Sequence, residues 1–310
     1  MKIGIALAGG GIRGVAHAGV LKALEDNNIN IDIIGGTSAG SIVASLYAMG
    51  YEPYYIYNLI KRYAKQITGI NTKFIVDGIG KIINKKVYSS KRGTAIEDIF
   101  NELARRKGIE NLRDIKMPLV IPTIEISEAK EYIFTNYVPR EKRKNVDELQ
   151  FERKSENIVY GKKEEILKKE VQRYISDISV GKAVRASSSF PAFFSPCEYN
   201  KCVFMDGGVI NNVPVEEVKK QGADKVIAVK FHAEKIDRNS NTMDIIMKTI
   251  DIMGSKISED NLNMADIVLN VYTDKVGLLD TKKLDKCFNY GYECVVQNLD
   301  KITSIIENNN

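Results

Sequence analysis

Histidine is nearly absent from this chain of 310 residues, which has only His17 and His232. A His-rich metal centre is therefore excluded, and any Ser-His-Asp triad must draw on one of these two. Cysteine is scarce as well. Cys197, Cys202, Cys287 and Cys294 show neither C-x-x-C nor zinc-ribbon spacing, which reads as reduced thiols in a reducing cytoplasm. No apolar run approaches the ~20 residues needed to span a bilayer, and glycines break the uncharged stretch from Ile3 to Ile12. Lys2 and the apolar residues after it imitate the start of a signal peptide, but no small-residue cleavage site follows. Nor does one sign of charge dominate: 45 Lys+Arg against 40 Asp+Glu give a formal net charge of +5. That excess is too mild to argue for nucleic acid, yet it tolerates transient contact with an anionic membrane surface. The expected location is cytoplasmic, at most peripheral to a membrane. With 44% hydrophobic and 27% charged residues, disorder and fibre are excluded.

What is present repeats a plan. Lys2 to Ala8 is a short apolar run ending in glycines, as in a strand buried on both faces of a parallel sheet. Val15, His17, Val20, Leu21 and Leu24 then fall at helical spacing. Ile31 to Ile34 predicts a second strand, Gly35 to Gly40 a tight turn, and Ile42, Val43, Leu46 and Met49 a second helix that Gly50 can close. Further strands are expected at Leu119 to Ile124, Tyr132 to Thr135, Cys202 to Met205, Val226 to Phe231 and Ile267 to Val271. The pattern is α/β, a mostly parallel sheet between helical layers, in one domain over residues 1–310. Three stretches stand apart. Residues 51–83, rich in Tyr, Ile and Lys, could form a cap or interfacial helix, or an ordinary core-facing helix with a basic outer side. Residues 138–173 read as a charged helical excursion, and 281–307 as a C-terminal helix.

The chemistry concentrates in three places. Gly36-Thr37-Ser38-Ala39-Gly40 is a G-x-S-x-G sequence between a strand and a helix, the setting a nucleophile elbow requires. The alternative is a Gly-Ser turn that merely caps the helix. Gly9-Gly10-Gly11-Ile12-Arg13-Gly14 satisfies G-x-G-x-x-G, which taken literally means a dinucleotide. The acid that should end the second strand is missing, because Asp32 lies near its start. A glycine turn beside a serine elbow makes better sense as an oxyanion hole: N–H groups of Gly10 and Gly11, with Arg13 adding positive charge, and Gly14 open to a packing role. The serine also needs a base. Ser38, Asp206, His232 stand formally in the order of an α/β-hydrolase triad, though that elbow normally follows more strands. His17 reads as a packed, hydrogen-bonded core residue. The remaining candidate is Asp206 in Asp206-Gly207-Gly208, at the end of a short apolar strand, unless that is only an Asp-Gly turn. A carboxylate base would need its pKa raised by desolvation.

These three motifs, in this order and with the elbow on the second strand, closely resemble the patatin-like phospholipase family. The resemblance extends through Val15 to Leu21, Ala186-Ser187-Ser188-Ser189-Phe190-Pro191 and Asn211-Asn212-Val213-Pro214, and covers about Lys2 to Phe231. It implies a three-layer α/β/α fold and a Ser-Asp dyad acting on fatty-acyl esters, with Ser38 as nucleophile, Asp206 as general base and Gly10, Gly11 and Arg13 around the oxyanion. It implies no cofactor, calcium included, and makes Asn211 and Pro214 structural. Phospholipid, lysophospholipid and acylglycerol remain open as substrates. So do an acyl transferase or thioesterase using the same dyad, a lipid-binding protein without catalysis, and a dinucleotide-binding oxidoreductase.

Overall fold

The computed structural model describes residues 1–67, 93–137, 173–191, 193–232, 242–273, 276–277 and 280–307. Among these, strands β1 (Ile3–Leu7), β2 (Ile33–Gly36), β3 (Leu119–Glu125), β4 (Lys130–Thr135), β5 (Tyr174–Ile175), β6 (Cys197–Tyr199), β7 (Cys202–Asp206), β8 (Lys225–Phe231) and β9 (Ile267–Val271) share one sheet. Its main path runs β5-β4-β3-β2-β1-β8-β9. The helices are α1 (Val15–Asp26), α2 (Ala39–Ala48), α3 (Pro53–Ile67), α4 (Thr94–Arg106), α5 (Val180–Ser187), α6 (Val215–Lys220), α7 (Thr242–Ile257), α8 (Glu259–Asn263), α9 (Leu284–Gln297) and α10 (Leu299–Glu307).

The apolar run at the start becomes the central strand because both of its edges and both of its faces are covered. β1 pairs in parallel with β2 and with β8, and all five of its residues are buried. Alternate side chains divide between two cores. Ile5 and Leu7 join Ile34, Ile227 and Val229 under α1, α2 and α9. Ala6 and Ala8 join Ile33, Val226 and Ala228 under Val215 and Val218 of α6. The second side is built of small residues because α6 sits so close: a Cβ at Gly4 would lie 2.5 Å from Val218 Cγ1. This is the three-layer α/β/α arrangement, with a mostly parallel sheet.

One irregularity in the sheet places the functional loops. β4 pairs antiparallel along one edge of β3 from Val120 to Glu125. On the other edge, β2 pairs only with Leu119 and Val120, and β7 arrives antiparallel to pair with Thr123, Ile124 and Glu125. β2 and β7 therefore run toward each other along β3 and both stop short, leaving a gap beside Ile121 and Pro122. The turn after β2 and the aspartate that ends β7 meet there.

Several boundaries differ from the sequence reading. β2 starts at Ile33 and keeps Gly35 and Gly36 within the strand, paired with Ala6 and Leu7, so the turn is shorter than 35–40. The helix expected over 281–307 is two helices, α9 and α10, preceded by a 3-10 turn at Thr281–Lys283. Asn298 ends the first: its side-chain amide donates to the Cys294 carbonyl at 2.8 Å, while its own carbonyl accepts from Lys301 and Ile302 to start the second. β5 and β6 are too short to carry a periodicity. Of the 51–83 stretch, α3 turns Ile56, Leu59 and Ile60 into the core and leaves Tyr54 and Tyr55 exposed. Residues 68–83, and the charged stretch as far as 172, lie outside the described residues.

Candidate active site

Ser38 occupies a sharp turn between β2 and α2. Its backbone sits at φ 52, ψ −119, a left-handed conformation that costs a side chain of order 1–3 kcal/mol and needs support from its surroundings. Two close approaches explain the flanking glycines. A Cβ at Gly36 would stand 2.3 Å from the Gly40 carbonyl oxygen, and one at Gly40 would stand 2.3 Å from the Leu7 carbonyl oxygen. The support comes from Ser187 and Ser188. Ser187 Oγ accepts the Ser38 N–H at 3.1 Å and donates to the Pro122 carbonyl at 2.7 Å, while Ser188 Oγ donates to the Ser38 carbonyl at 3.3 Å. Ser38 precedes α2, yet its hydroxyl makes no capping bond to that helix. A simple helix-capping serine would do so.

Asp206 is buried at the end of β7. Its Oδ1 accepts the Gly208 N–H at 2.8 Å. Oδ2 is buried and has no partner of good hydrogen-bond geometry, and the Ser38 side chain is the group facing the carboxyl. Burial pushes this acid up to about 6, against the weaker downward pull of the Ser38 hydroxyl and the Gly208 N–H. Gly207 must be a glycine here, since a Cβ would fall 2.4 Å from the Pro122 carbonyl oxygen.

The glycine loop after β1 closes the third side. Gly11–Gly14 is a short 3-10 helix, and first-turn N–H groups such as those of Gly10 and Gly11 have no carbonyl behind them to pair with. Gly9 is spoken for: its N–H is held by the side-chain and backbone oxygens of Asn212, at 3.0 and 3.2 Å. Arg13 is buried, with Nε on the Gly10 carbonyl at 3.2 Å and its guanidinium 5.4 Å from the Phe231 ring centre. It does not line the Ser38 cavity and acts on the loop through Gly10. Gly14 packs against α2, where a Cβ would meet that of Ala39 at 2.5 Å.

Neither histidine reaches Ser38. His17 is fully buried, its Nε2–H donating to the Ala8 carbonyl at 2.8 Å, and burial lowers its pKa to about 4, so the ring is neutral. His232 is exposed and stacks on Tyr272 with ring centres 4.7 Å apart.

Ser38, Asp206, Gly9, Gly10, Gly11 and Gly14 line a cavity of about 120 Å³ whose other walls are mainly apolar. α1 and the glycine loop supply Ile12 and Val15, α2 supplies Ala39 and Ile42, α3 supplies Ile60, and α4 supplies Ile96. Phe190, Phe193, Phe194 and Ile250 complete it. A hydroxyl, a raised carboxyl and a glycine loop thus line one largely apolar cavity, the kind of arrangement acyl transfer needs.

A family model described as patatin-like phospholipase matches residues 5–219. The chain belongs to the patatin-like phospholipase family. Lysophospholipase NTE1 of Meyerozyma guilliermondii is 30% identical over 229 residues, covering 73% of this chain and 12% of that protein. Lysophospholipase NTE1 of Candida albicans is 31% identical over 238 residues, covering 73% and 13%. The chain therefore spans only about an eighth of the length of these curated relatives. Among solved structures, VipD from Legionella pneumophila superposes with a TM-score of 0.53 at 14% identity, over 97% of this chain and 67% of that one, and so shares the fold.

The sequence motifs did not reveal the roles of Ser187, Ser188 and Asn212, which hold the elbow and the glycine loop of this patatin-like site. The Ser187-Ser188-Ser189 run and the Asn211-Asn212 pair were the available signals, but small polar residues in loops advertise no partner. Asn211 is buried, donating to Glu131 Oε1 at 2.7 Å, and the Thr37 hydroxyl donates to its carbonyl at 2.8 Å.

Proposed function

We propose that this protein is a serine lipid acyl hydrolase working through a Ser38-Asp206 dyad. The observation that carries the reading is a strained serine facing a buried, pKa-raised carboxyl in the wall of a largely apolar cavity. Ser38 Oγ attacks the carbonyl carbon of a fatty-acyl ester as its proton passes to Asp206 Oδ2. The N–H groups of Gly10 and Gly11 hold the oxyanion, with Arg13 fixing the loop they belong to. Collapse expels the alcohol, which takes the proton from Asp206 and leaves an acyl-Ser38 ester. Water then attacks, giving its proton to Asp206, and the free acid departs as Ser38 is reprotonated. With a pKa of about 6, Asp206 is about nine-tenths ionised at neutral pH and a far better base than an exposed aspartate.

The acyl chain lies in the slot among Ile42, Ile60, Ile96 and the phenylalanines. Because the curated relatives are lysophospholipases, lysophospholipid is the first substrate to assay, ahead of phospholipid and acylglycerol. No described helix is long and apolar enough to cross a membrane; transient contact with a lipid surface is part of the proposal. Turnover of a short-chain p-nitrophenyl ester and of lysophosphatidylcholine by wild type, Ser38→Ala and Asp206→Ala tests the proposal. Loss in both variants is expected, and equal rates in all three proteins would sink it.

A further inference from the structure

The corner between α7 and α8 grips the loop that follows Asp206 at three points. Gly254 of α7 lies against the Gly208 carbonyl, where a Cβ would stand 2.3 Å from the oxygen. Asn261 of α8 donates its side-chain amide to Asn211 Oδ1 at 3.3 Å. Between the two helices, Ser258 Oγ accepts the Asn212 N–H at 3.0 Å and donates to the Gly254 carbonyl at 2.8 Å. Ser258 is fully buried and immediately precedes α8, yet its hydroxyl makes no capping bond to that helix, the ordinary use of a serine in that place. Its bonds go to α7 and to the loop instead. All three residues lie beyond residue 219, where the match to the family model ends.

We propose that Ser258 is a positioning residue for the reaction, fixing Asn212 and through it the glycine loop that binds the oxyanion. This rests on the acyl-hydrolase reading above, which gives the Gly10 and Gly11 N–H groups that task. Gly9-Gly10-Gly11 has no side chain with which to anchor itself, and glycine has more backbone freedom than any other residue. The loop is therefore held from outside. At one end Arg13 Nε donates to the Gly10 carbonyl at 3.2 Å. At the other, Asn212 places two oxygens on the Gly9 N–H, Oδ1 at 3.0 Å and its carbonyl at 3.2 Å. Two acceptors aim one donor only while the residue that carries them stays in place, and the Asn212 N–H is tied to Ser258. Without the Ser258 hydroxyl, Asn212 can shift, Gly9 follows, and the peptide bearing the Gly10 N–H turns off its aim. A misplacement of about 1 Å in such a site can cost ~10²-fold in rate.

The test uses the full chain as wild type, Ser258→Ala and Ser258→Thr, which keeps a hydroxyl. Steady-state kinetics on a soluble short-chain ester are measured beside fluorophosphonate labelling of Ser38, both its rate and its final stoichiometry. Amide hydrogen exchange of peptides covering the glycine loop is followed as well. Ser258→Ala is expected to lower kcat by about tenfold to a hundredfold with KM little changed. Its labelling should slow by a similar factor yet still reach one adduct per chain, and exchange in the glycine loop should quicken. Ser258→Thr is expected to recover most of the rate; if the added methyl prevents folding, the alanine variant alone decides. A wild-type kcat in Ser258→Ala would overturn the proposal. So would a fall in kcat matched by an equal fall in the fraction of chains that take the label, since that is the mark of lost folding rather than lost aim. If wild type itself neither turns over the ester nor takes the label, the hydrolase reading fails. Exchange then judges Ser258 by itself: a quickened glycine loop in Ser258→Ala keeps the clamp, and an unchanged one removes it.

Discussion

Replacing Asp206 by asparagine separates what the site costs from what it does. Burial raises this carboxyl from 3.8 to about 6. Between those values the folded protein still holds a proton that the unfolded chain has released, so stability falls as pH rises through the window and stays low above it. The difference amounts to about 3 kcal/mol at neutral pH and above, at 1.36 kcal/mol per pH unit. Asparagine preserves the shape and can still accept the Gly208 N–H, now 2.8 Å from Oδ1, while its amide can donate to the Ser38 oxygen. It carries no charge to bury. Asp206→Asn should therefore be more stable than wild type by about 3 kcal/mol at pH 7.5, by about half that at pH 5, and by almost nothing near pH 3.5. Ester turnover should fall by a factor of about 10²–10⁴, the usual contribution of a positioned base. Urea denaturation at pH 7.5, 6 and 5, followed by circular dichroism, reads the stability. A variant less stable than wild type at pH 7.5, or a gain that does not shrink toward pH 5, would refute the claim that an ionised carboxylate is held out of water here.

Other consequences follow from the same geometry. For wild type, kcat/KM on a soluble ester should rise with pH along a single-proton limb centred near 6, since the base works ionised; a flat profile from pH 5 to 8 would contradict this. Ser38→Gly should be about 1 kcal/mol more stable than Ser38→Ala, because glycine accepts φ 52 without strain while giving back some chain entropy; equal melting temperatures would argue against a strained elbow. Ser187→Ala strands the Ser38 N–H and the Pro122 carbonyl. It should cost about 1–3 kcal/mol and lower kcat more than it raises KM, which denaturation and steady-state kinetics would read. Gly40→Ala puts a methyl 2.3 Å from the Leu7 carbonyl oxygen and should abolish soluble expression or cut stability severely; a normally folded Gly40→Ala protein would remove the physical reason given for that glycine.

The strand-and-helix plan around the first two strands was legible because β1 is buried on both faces and its short apolar run could hardly be anything else. The three motifs were legible for a different reason: at Gly36, Gly40 and Gly207 the glycine answers a backbone contact that any side chain would break, and at Gly14 a close approach of α2. What the sequence could not show was how the motifs meet. The head-on approach of β2 and β7 along β3 is a matter of register between residues about eighty positions apart. Arg13 was expected to add positive charge near the oxyanion; the structure shows its guanidinium against the Gly10 carbonyl and Phe231, contacts that the motif did not reveal.

The central claim is that Ser38 is the atom that attacks. Treating the protein with an active-site fluorophosphonate at pH 7.5, then measuring intact mass and mapping the modified peptide, tests it most directly. The account predicts a single adduct on Ser38, forming more slowly as pH falls below about 6, where Asp206 takes up its proton. An adduct on another residue, or unchanged labelling of Ser38→Ala, would contradict it.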